Sequence, residues 1–364
     1  VSITRIILPT LLFAGTLLAQ EAAPPAEAEP APAPTATPAP PQPKTPREII
    51  DGLSDSQLEQ AIESLRANFL DAGRTDDKEL RRATLEGLIA RLAPGLTITT
   101  EAQAGAQPAS VGFLAEILDD RIGYVRVGAL NAEALSQMDA ALESFKAKDL
   151  HAVIIDLRGA PPSTDYEMAA EFARRFCAKG RLLFSVQKPA AKQERILTSN
   201  QDPAFSGILV VLTDDATSGS GEALAATLRK NADALIVGAT TRGEAVEFSN
   251  IALGDGKILR VAVAQVTLPE NGPLFPGGVK PDIAAALPRS VQERIFSASR
   301  EQGVSEFVFE TERPHLNEAA LVANTNPEIE PDTNRTQKEQ LRDTVLQRAV
   351  DLVTAISFYA GRNQ

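Results

Sequence analysis

The sequence is short of the residues that most often carry metal and redox chemistry. It has one cysteine, Cys177, and two histidines, His151 and His315. A lone cysteine cannot close an internal disulfide. Its neighbours Phe172, Ala173 and Phe176 point to a buried helix position, not to a reactive thiol. Two histidines exclude a histidine-rich metal site, and any Ser-His-Asp arrangement would have to use one of them. His151 opens a strand pattern and reads as structural; no role follows for His315. Positive charge is also scarce, since 36 Lys and Arg face 48 Asp and Glu for a net charge of -12. That argues against binding nucleic acid or anionic lipid through a broad basic face. The apolar run from Ile6 to Leu18 is too short to be a convincing spanning helix.

What is present divides the 364 residues into segments of different composition. Residues 1–20 carry Arg5, that apolar run and small residues near Ala19, the layout of a secretory signal. Export to the periplasm or cell envelope is the expectation, possible secretion included, with membrane contact only through an uncleaved signal. Residues 21–45 are rich in Pro and Ala and too poor in large apolar groups to pack, so they are expected to form a disordered tether. A helical region is expected over 46–95, where Leu58, Ile62, Leu65 and Leu70, then Leu80, Leu85, Leu88 and Leu92, recur at helical spacing. The small polar residues from Thr97 to Ser110 read as a loop.

From 111 to 287 the pattern changes to strands alternating with helices. Ile122–Val127 alternates as a half-buried strand, Leu130–Lys148 follows with helical period, and His151–Arg158 is a more buried strand. A helix from Asp165 to Phe176 and a strand from Leu182 to Val186 follow. The stretch from Gly207 to Val246 then gives strand, tight turn, helix, strand and turn. Asp255-Gly256 marks a hairpin before a strand over Ile258–Thr267. This order predicts an α/β fold with a largely parallel sheet, flanked by N- and C-terminal helices. The 288–364 extension is expected to end in a long helix over Gln337–Ala360, with Leu341, Val345, Leu346, Val350 and Leu352 on one side.

In such sheets, sites lie at the carboxyl ends of strands. Two loops are of that kind, Gly159–Ser163 and Thr217–Gly221, and they are expected to face one crevice. Thr217, Ser218 and Ser220 are also ordinary helix N-cap candidates. Gly219-Ser-Gly221 does not make a dinucleotide loop, because Leu224 stands where the third glycine would be. Asp214 and Asp215 read as a solvated turn rather than a cation site. No cofactor and no metal is expected.

Five segments in order carry a resemblance: Ile122-Gly-Tyr-Val-Arg-Val127, Ile155-Asp-Leu-Arg158, Val210–Leu228, Ile236-Val-Gly238 with Thr241-Arg-Gly243, and Gly278-Val-Lys-Pro-Asp-Ile283. Together they resemble the C-terminal processing or tail-specific proteases, serine peptidases of the ClpP/crotonase-like fold. The resemblance implies a serine nucleophile three residues before the motif glutamate, here Glu222, and a lysine base further on. The nucleophile position therefore falls on Gly219 and the base position on Glu244. The resemblance also implies an oxyanion loop with two glycines, which fall on Pro162 and Ser163, and Ser220 is the further oxyanion position. Proline has no N–H to donate.

Both halves of the dyad are missing, and the third part is altered. Loss of a nucleophile alone removes about six orders of magnitude of rate in a well-studied serine protease. The expectation is therefore a pseudopeptidase, with no catalytic residue, that binds a peptide, an unfolded protein segment or a small apolar ligand in the former crevice. One alternative is a hydrolase with a displaced nucleophile, Ser218 or Ser220, and Glu244 as base. Consecutive helical residues point about 100° apart, so neither should aim as the lost serine would. The other alternative is a structural envelope protein that assembles through its terminal helices. Family members commonly carry a PDZ module before the Ile122 strand, and the interval here is too short for one. The sequence fixes neither ligand nor oligomeric state.

Overall fold

The computed structural model describes residues 45–69, 75–105, 111–270, 272–308 and 341–361. The expected signal, nearly all of the tether and His315 lie outside them. The chain divides into two units, Val1–Thr75 and Asp76–Gln364. In the first, α1 (Pro46–Asp51) and α2 (Asp55–Asn68) each start at a capping box, Thr45 with Glu48 and Ser54 with Gln57. These reciprocal bonds satisfy amides that a helix start leaves unpaired. Neither helix buries a residue.

The second unit opens with α3 (Asp77–Leu92), capped by the Asp76 carboxylate. Next come β1 (Leu96–Thr100), the one-turn α4 (Glu101–Ala104), β2 (Leu114–Leu118), β3 (Ile122–Arg126) and α5 (Ala132–Ala147). They are followed by β4 (Ala152–Asp156), α6 (Tyr166–Arg174), β5 (Leu182–Lys188), β6 (Gln193–Thr198) and β7 (Ile208–Thr213). The rest is α7 (Ser220–Asn231), β8 (Leu235–Gly238), β9 (Val246–Gly254), β10 (Lys257–Leu268), β11 (Gly272–Pro273), β12 (Ile283–Ala284), α8 (Arg289–Gln302) and α9 (Thr344–Gly361).

One sheet has the order β12-β8-β7-β4-β3-β2. All its neighbours are parallel except β2 and β3. Its strands are apolar on both faces because both are covered. Val125, Val153, Ile155, Val211 and Ile236 pack against Met138, Phe145, Phe172 and Leu224 of the helices on one side. Tyr124, Ile154, Val210, Leu212 and Val237 face the other side, where Val345, Leu346, Ala349 and Val353 of α9 meet them. The register places Thr213 opposite Gly238 and Gly238 opposite Ala284, so three carboxyl ends lie side by side.

Three expectations are corrected. Leu96–Thr100 is a strand, not part of a loop, because its Thr and Ile residues pair with β10 from Leu96 opposite Val261 to Thr100 opposite Lys257. Leu182–Val186 does not join the parallel sheet. As part of β5 it pairs antiparallel with β6 and β10 in a second sheet of order β1-β10-β5-β6, with β9 and β11 also on β10. The tail helix begins at Thr344, and Leu341–Asp343 precede it, with the Asp343 carbonyl accepting the Gln347 amide at 2.8 Å as the first bond of the helix.

The tail is fastened to the parallel sheet by a buried ionic cluster. Arg158, just beyond β4, lies 2.6 Å from Asp156 and 2.8 Å from Asp343. Tyr124 donates its hydroxyl to Asp156 at 2.8 Å. Asp343 also accepts the amide of Leu346 in the first turn of α9. Burial alone would raise the Asp343 carboxyl, but the Arg158 guanidinium outweighs it and holds the group below its ordinary value.

Candidate functional site

The turn after β7 is set by one carboxylate. Asp214 Oδ1 accepts the amides of Ala216 and Thr217 and the Thr217 hydroxyl, while Oδ2 accepts the Gln292 amide at 2.8 Å. This is the side-chain turn that aspartate favours at strand ends. Asp215 beside it is exposed. Gly219 then adopts φ 57° and ψ -118°, and α7 starts at Ser220.

The two expected loops do meet, but with the opposite polarity to an oxyanion hole. Ser220 N–H donates to the carbonyl oxygen of Ser163 at 2.7 Å. An oxyanion hole needs amide hydrogens aimed into open space. Here a carbonyl of the chain's own loop already occupies the Ser220 amide, and Pro162 offers none. A Cβ at position 219 would come 2.1 Å from the same Ser163 oxygen. The site is thus shaped around a glycine.

Neither displaced serine is paired with a base. The Oγ atoms of Ser218 and Ser220 are both buried without a hydrogen-bond partner. Glu244, half-buried, takes part through its backbone, donating its N–H to Glu222 at 2.7 Å. Activation of a serine requires a base within hydrogen-bond reach. Among the described residues no such contact exists for either.

Glu222 is the centre of the arrangement. Its carboxylate accepts the amides of Gly219, Gly243 and Glu244 and the hydroxyl of Thr241. Thr241 Oγ1 in turn accepts the amide of Val279. One fully buried side chain therefore ties the turn after β7 to the segment after β8 and to the segment before β12. Burial raises its pKa, and the four hydrogen bonds pull it back only in part. The signal for this role lay in the spacing: a glutamate three residues after the helix cap reaches back to the cap amide.

The open space lies elsewhere than expected. A cavity of about 780 Å³ sits across the carboxyl ends of β4, β7, β8 and β12. Pro161, Pro162, Ala216, Ala285, Leu287 and Phe296 line it, and none of Thr217–Gly221 does. The crevice expected between the two loops is closed by the Ser163–Ser220 bond, and the cavity is bounded instead by Gly159–Pro162 and Asp214–Ala216.

The remaining candidates stand apart. Cys177 is buried, in the turn just after α6 and not on a helix, and burial pushes its thiol up to about 12. His151 is exposed, 3.8 Å from Asp149. Among the described residues no three His, Cys, Asp or Glu side chains converge to hold a metal ion.

Comparison with known proteins bears on this frame. Residues 121–285 match the model of Peptidase family S41. The chain is 27% identical over 202 residues to a carboxyl-terminal-processing protease of Synechocystis sp., an alignment covering 54% of this chain and 47% of that protein. It is 25% identical over 173 residues to the carboxy-terminal processing protease CtpA of Bacillus subtilis, covering 48% and 37%. The matched part thus spans less than half the length of these relatives. Among solved structures, the photosystem II D1 C-terminal processing protease superposes with a TM-score of 0.40 at 22% identity, covering 54% of this chain and 49% of that one. A lipoprotein from Streptococcus agalactiae gives 0.42 at 13% identity, covering 66% and 88%.

Proposed function

The core of this chain, residues 121–285, belongs to peptidase family S41, and from that premise we infer that the protein is an exported pseudopeptidase, which binds and does not cut. The carrying observation is the Ser163 carbonyl on the Ser220 amide, 2.7 Å away, beside a glycine at the position the resemblance gives to the nucleophile. The Ser220 amide is taken and Pro162 has none to give, so two of the positions that would receive a substrate carbonyl oxygen are lost, and no hydroxyl is poised to attack. Glu222 meanwhile keeps all four of its donors, so the frame is held although the chemistry is gone. A frame kept rigid without its reacting groups suits a binding protein. Export rests on the composition of residues 1–20.

The test is incubation of the purified chain with an unfolded protein and, separately, with a fluorophosphonate serine probe. The expected result is no cleavage and no labelling. Cleavage that disappears in the Ser218→Ala/Ser220→Ala double variant would instead establish a displaced nucleophile.

A second reading is favoured by one observation. Helix α2 buries nothing and exposes Ile62 and Leu65, with Phe69 exposed just beyond its end. Assembly through this helix would make the mass of the protein depend on concentration. A mass constant from micromolar to millimolar protein would remove this reading.

A further inference from the structure

We propose that the cavity at the strand ends is the ligand site, and that its ligand is an apolar chain carrying a single carboxylate. This rests on the binding role argued above and goes beyond it by giving the place and the chemical class. In parallel α/β sheets ligands settle outside the carboxyl ends of the strands. This cavity spans four such ends, and its volume of about 780 Å³ falls within the range of small-ligand sites, roughly 300–1,000 Å³.

The body of the ligand follows from the walls. Pro161, Pro162, Ala216, Ala285, Leu287 and Phe296 present carbon, not hydrogen-bonding groups. A polar body placed against them would lose water without compensation. The inner polar groups are already committed: Asp214 to Gln292 and the turn amides, Arg158 to Asp156 and Asp343. Glu293 and Arg289 on the rim pair with each other at 3.1 Å.

The acid group follows from the rim. Arg242 is exposed, lines the cavity and makes no side-chain hydrogen bond or ion pair among the described residues. A guanidinium is the group that binds a carboxylate through two parallel N–H bonds. Asp215 lies on the same rim, exposed, and opposes an anion. Its removal should therefore tighten binding, which gives the assignment a second sign to test.

The experiment measures calorimetric binding of dodecanoate and of dodecan-1-ol to the full chain, alongside an N-acetylated Ala/Leu hexapeptide as its free acid and as its amide. Variants are Arg242→Gln, Asp215→Asn and Ala216→Trp. The expected result is an acid bound about tenfold more tightly than its neutral partner, with that preference lost in Arg242→Gln and enlarged in Asp215→Asn. Ala216→Trp should abolish binding while the circular dichroism spectrum is unchanged. Binding of the fatty acid alone assigns a lipid source, and binding of the peptide acid alone assigns a chain terminus. Equal binding of acid and neutral partner, indifference to Arg242→Gln, or no binding of any probe overturns the proposal. Since none of these outcomes depends on hydrolysis, a cleaving enzyme would refute the functional reading separately.

Discussion

The amide of Ser220 is bonded to the carbonyl of Ser163, and that single contact changes what the turn after β7 can do. The first amides of a helix form a ready anion site only while they are unoccupied. In this chain the Gly159–Ser163 loop satisfies one of them from within, and Glu222 satisfies the amide of Gly219. The positive end of α7 is therefore spent on holding two loops together. The free space lies instead against Gly159–Pro162 and Asp214–Ala216, where the cavity is lined.

Restoring the serine should not restore chemistry. A Cβ at position 219 would meet Ser163 O at 2.1 Å, on a backbone with φ 57° that L side chains rarely adopt. Gly219→Ser is expected to cost about 2 to 4 kcal/mol, read as a lower urea midpoint. The Gly219→Ser/Glu244→Lys pair is expected to leave an unfolded protein substrate uncut over a day. Measurable turnover in that pair would show that the Ser163 carbonyl moves aside on demand.

Removing the two orphaned hydroxyls should be harmless or beneficial. Ser218 Oγ and Ser220 Oγ are buried with no partner. A buried hydroxyl without a hydrogen bond lowers stability, and its replacement by hydrogen relieves that cost. Ser218→Ala/Ser220→Ala is expected to match or exceed the parent by up to about 1 kcal/mol. A clear loss of stability would mean that ordered water or a ligand satisfies these oxygens in solution.

Much of this architecture was legible in the sequence, for reasons that particular residues make plain. The runs at His151 and Gly207 are apolar on both faces, as a doubly covered parallel strand needs, whereas the alternating run at Ile122 reads as half-buried and is in fact buried throughout, Arg126 included. Strand β6 gave no such signal, since among Gln193–Thr198 only Leu197 is buried and its place is set by pairing with β5. Strand β1 was hidden similarly, with Leu96 its one buried residue. At the site, motif order singled out Gly219, Glu244, Pro162 and Ser163 as positions to look at, and the structure sets Ser163 against Gly219 and Ser220. The closure of the crevice could not be read that way, because it is a bond between two backbones and leaves no mark in side-chain type.

Glu222 should be the least replaceable polar residue of the frame. Glu222→Gln keeps the shape but turns one acceptor into a donor, leaving at least one of the four donors on it unmatched. The expected cost is about 2 to 4 kcal/mol, with the largest rise in amide exchange at Gly219, Gly243 and Glu244. Wild-type stability and exchange in this variant would show that the turn is held by the Ser163–Ser220 bond alone.

The Asp343 carboxyl gives the fold an acid-sensitive joint. A carboxyl whose folded pKa lies below its unfolded value contributes stability that is complete above the unfolded pKa, about 3.9. That contribution is lost as pH falls through the folded value. Asp343 is such a group, held low by Arg158 against the opposing effect of burial. It stands at the entry to α9, so protonation should loosen the contact of Val345, Leu346 and Val353 with the sheet before the rest unfolds. Amide exchange across Val345–Val353 is expected to rise below pH 3.9 ahead of exchange in β4 and β7. Asp343→Asn should show the faster exchange already at pH 7 and lose the added acid sensitivity, while Asp343→Ala should cost about 3 to 5 kcal/mol by leaving Arg158 short of a partner. If α9 and the strands exchange together at every pH in the parent, the buried pair does not separate the tail from the sheet, and the two unfold as one unit.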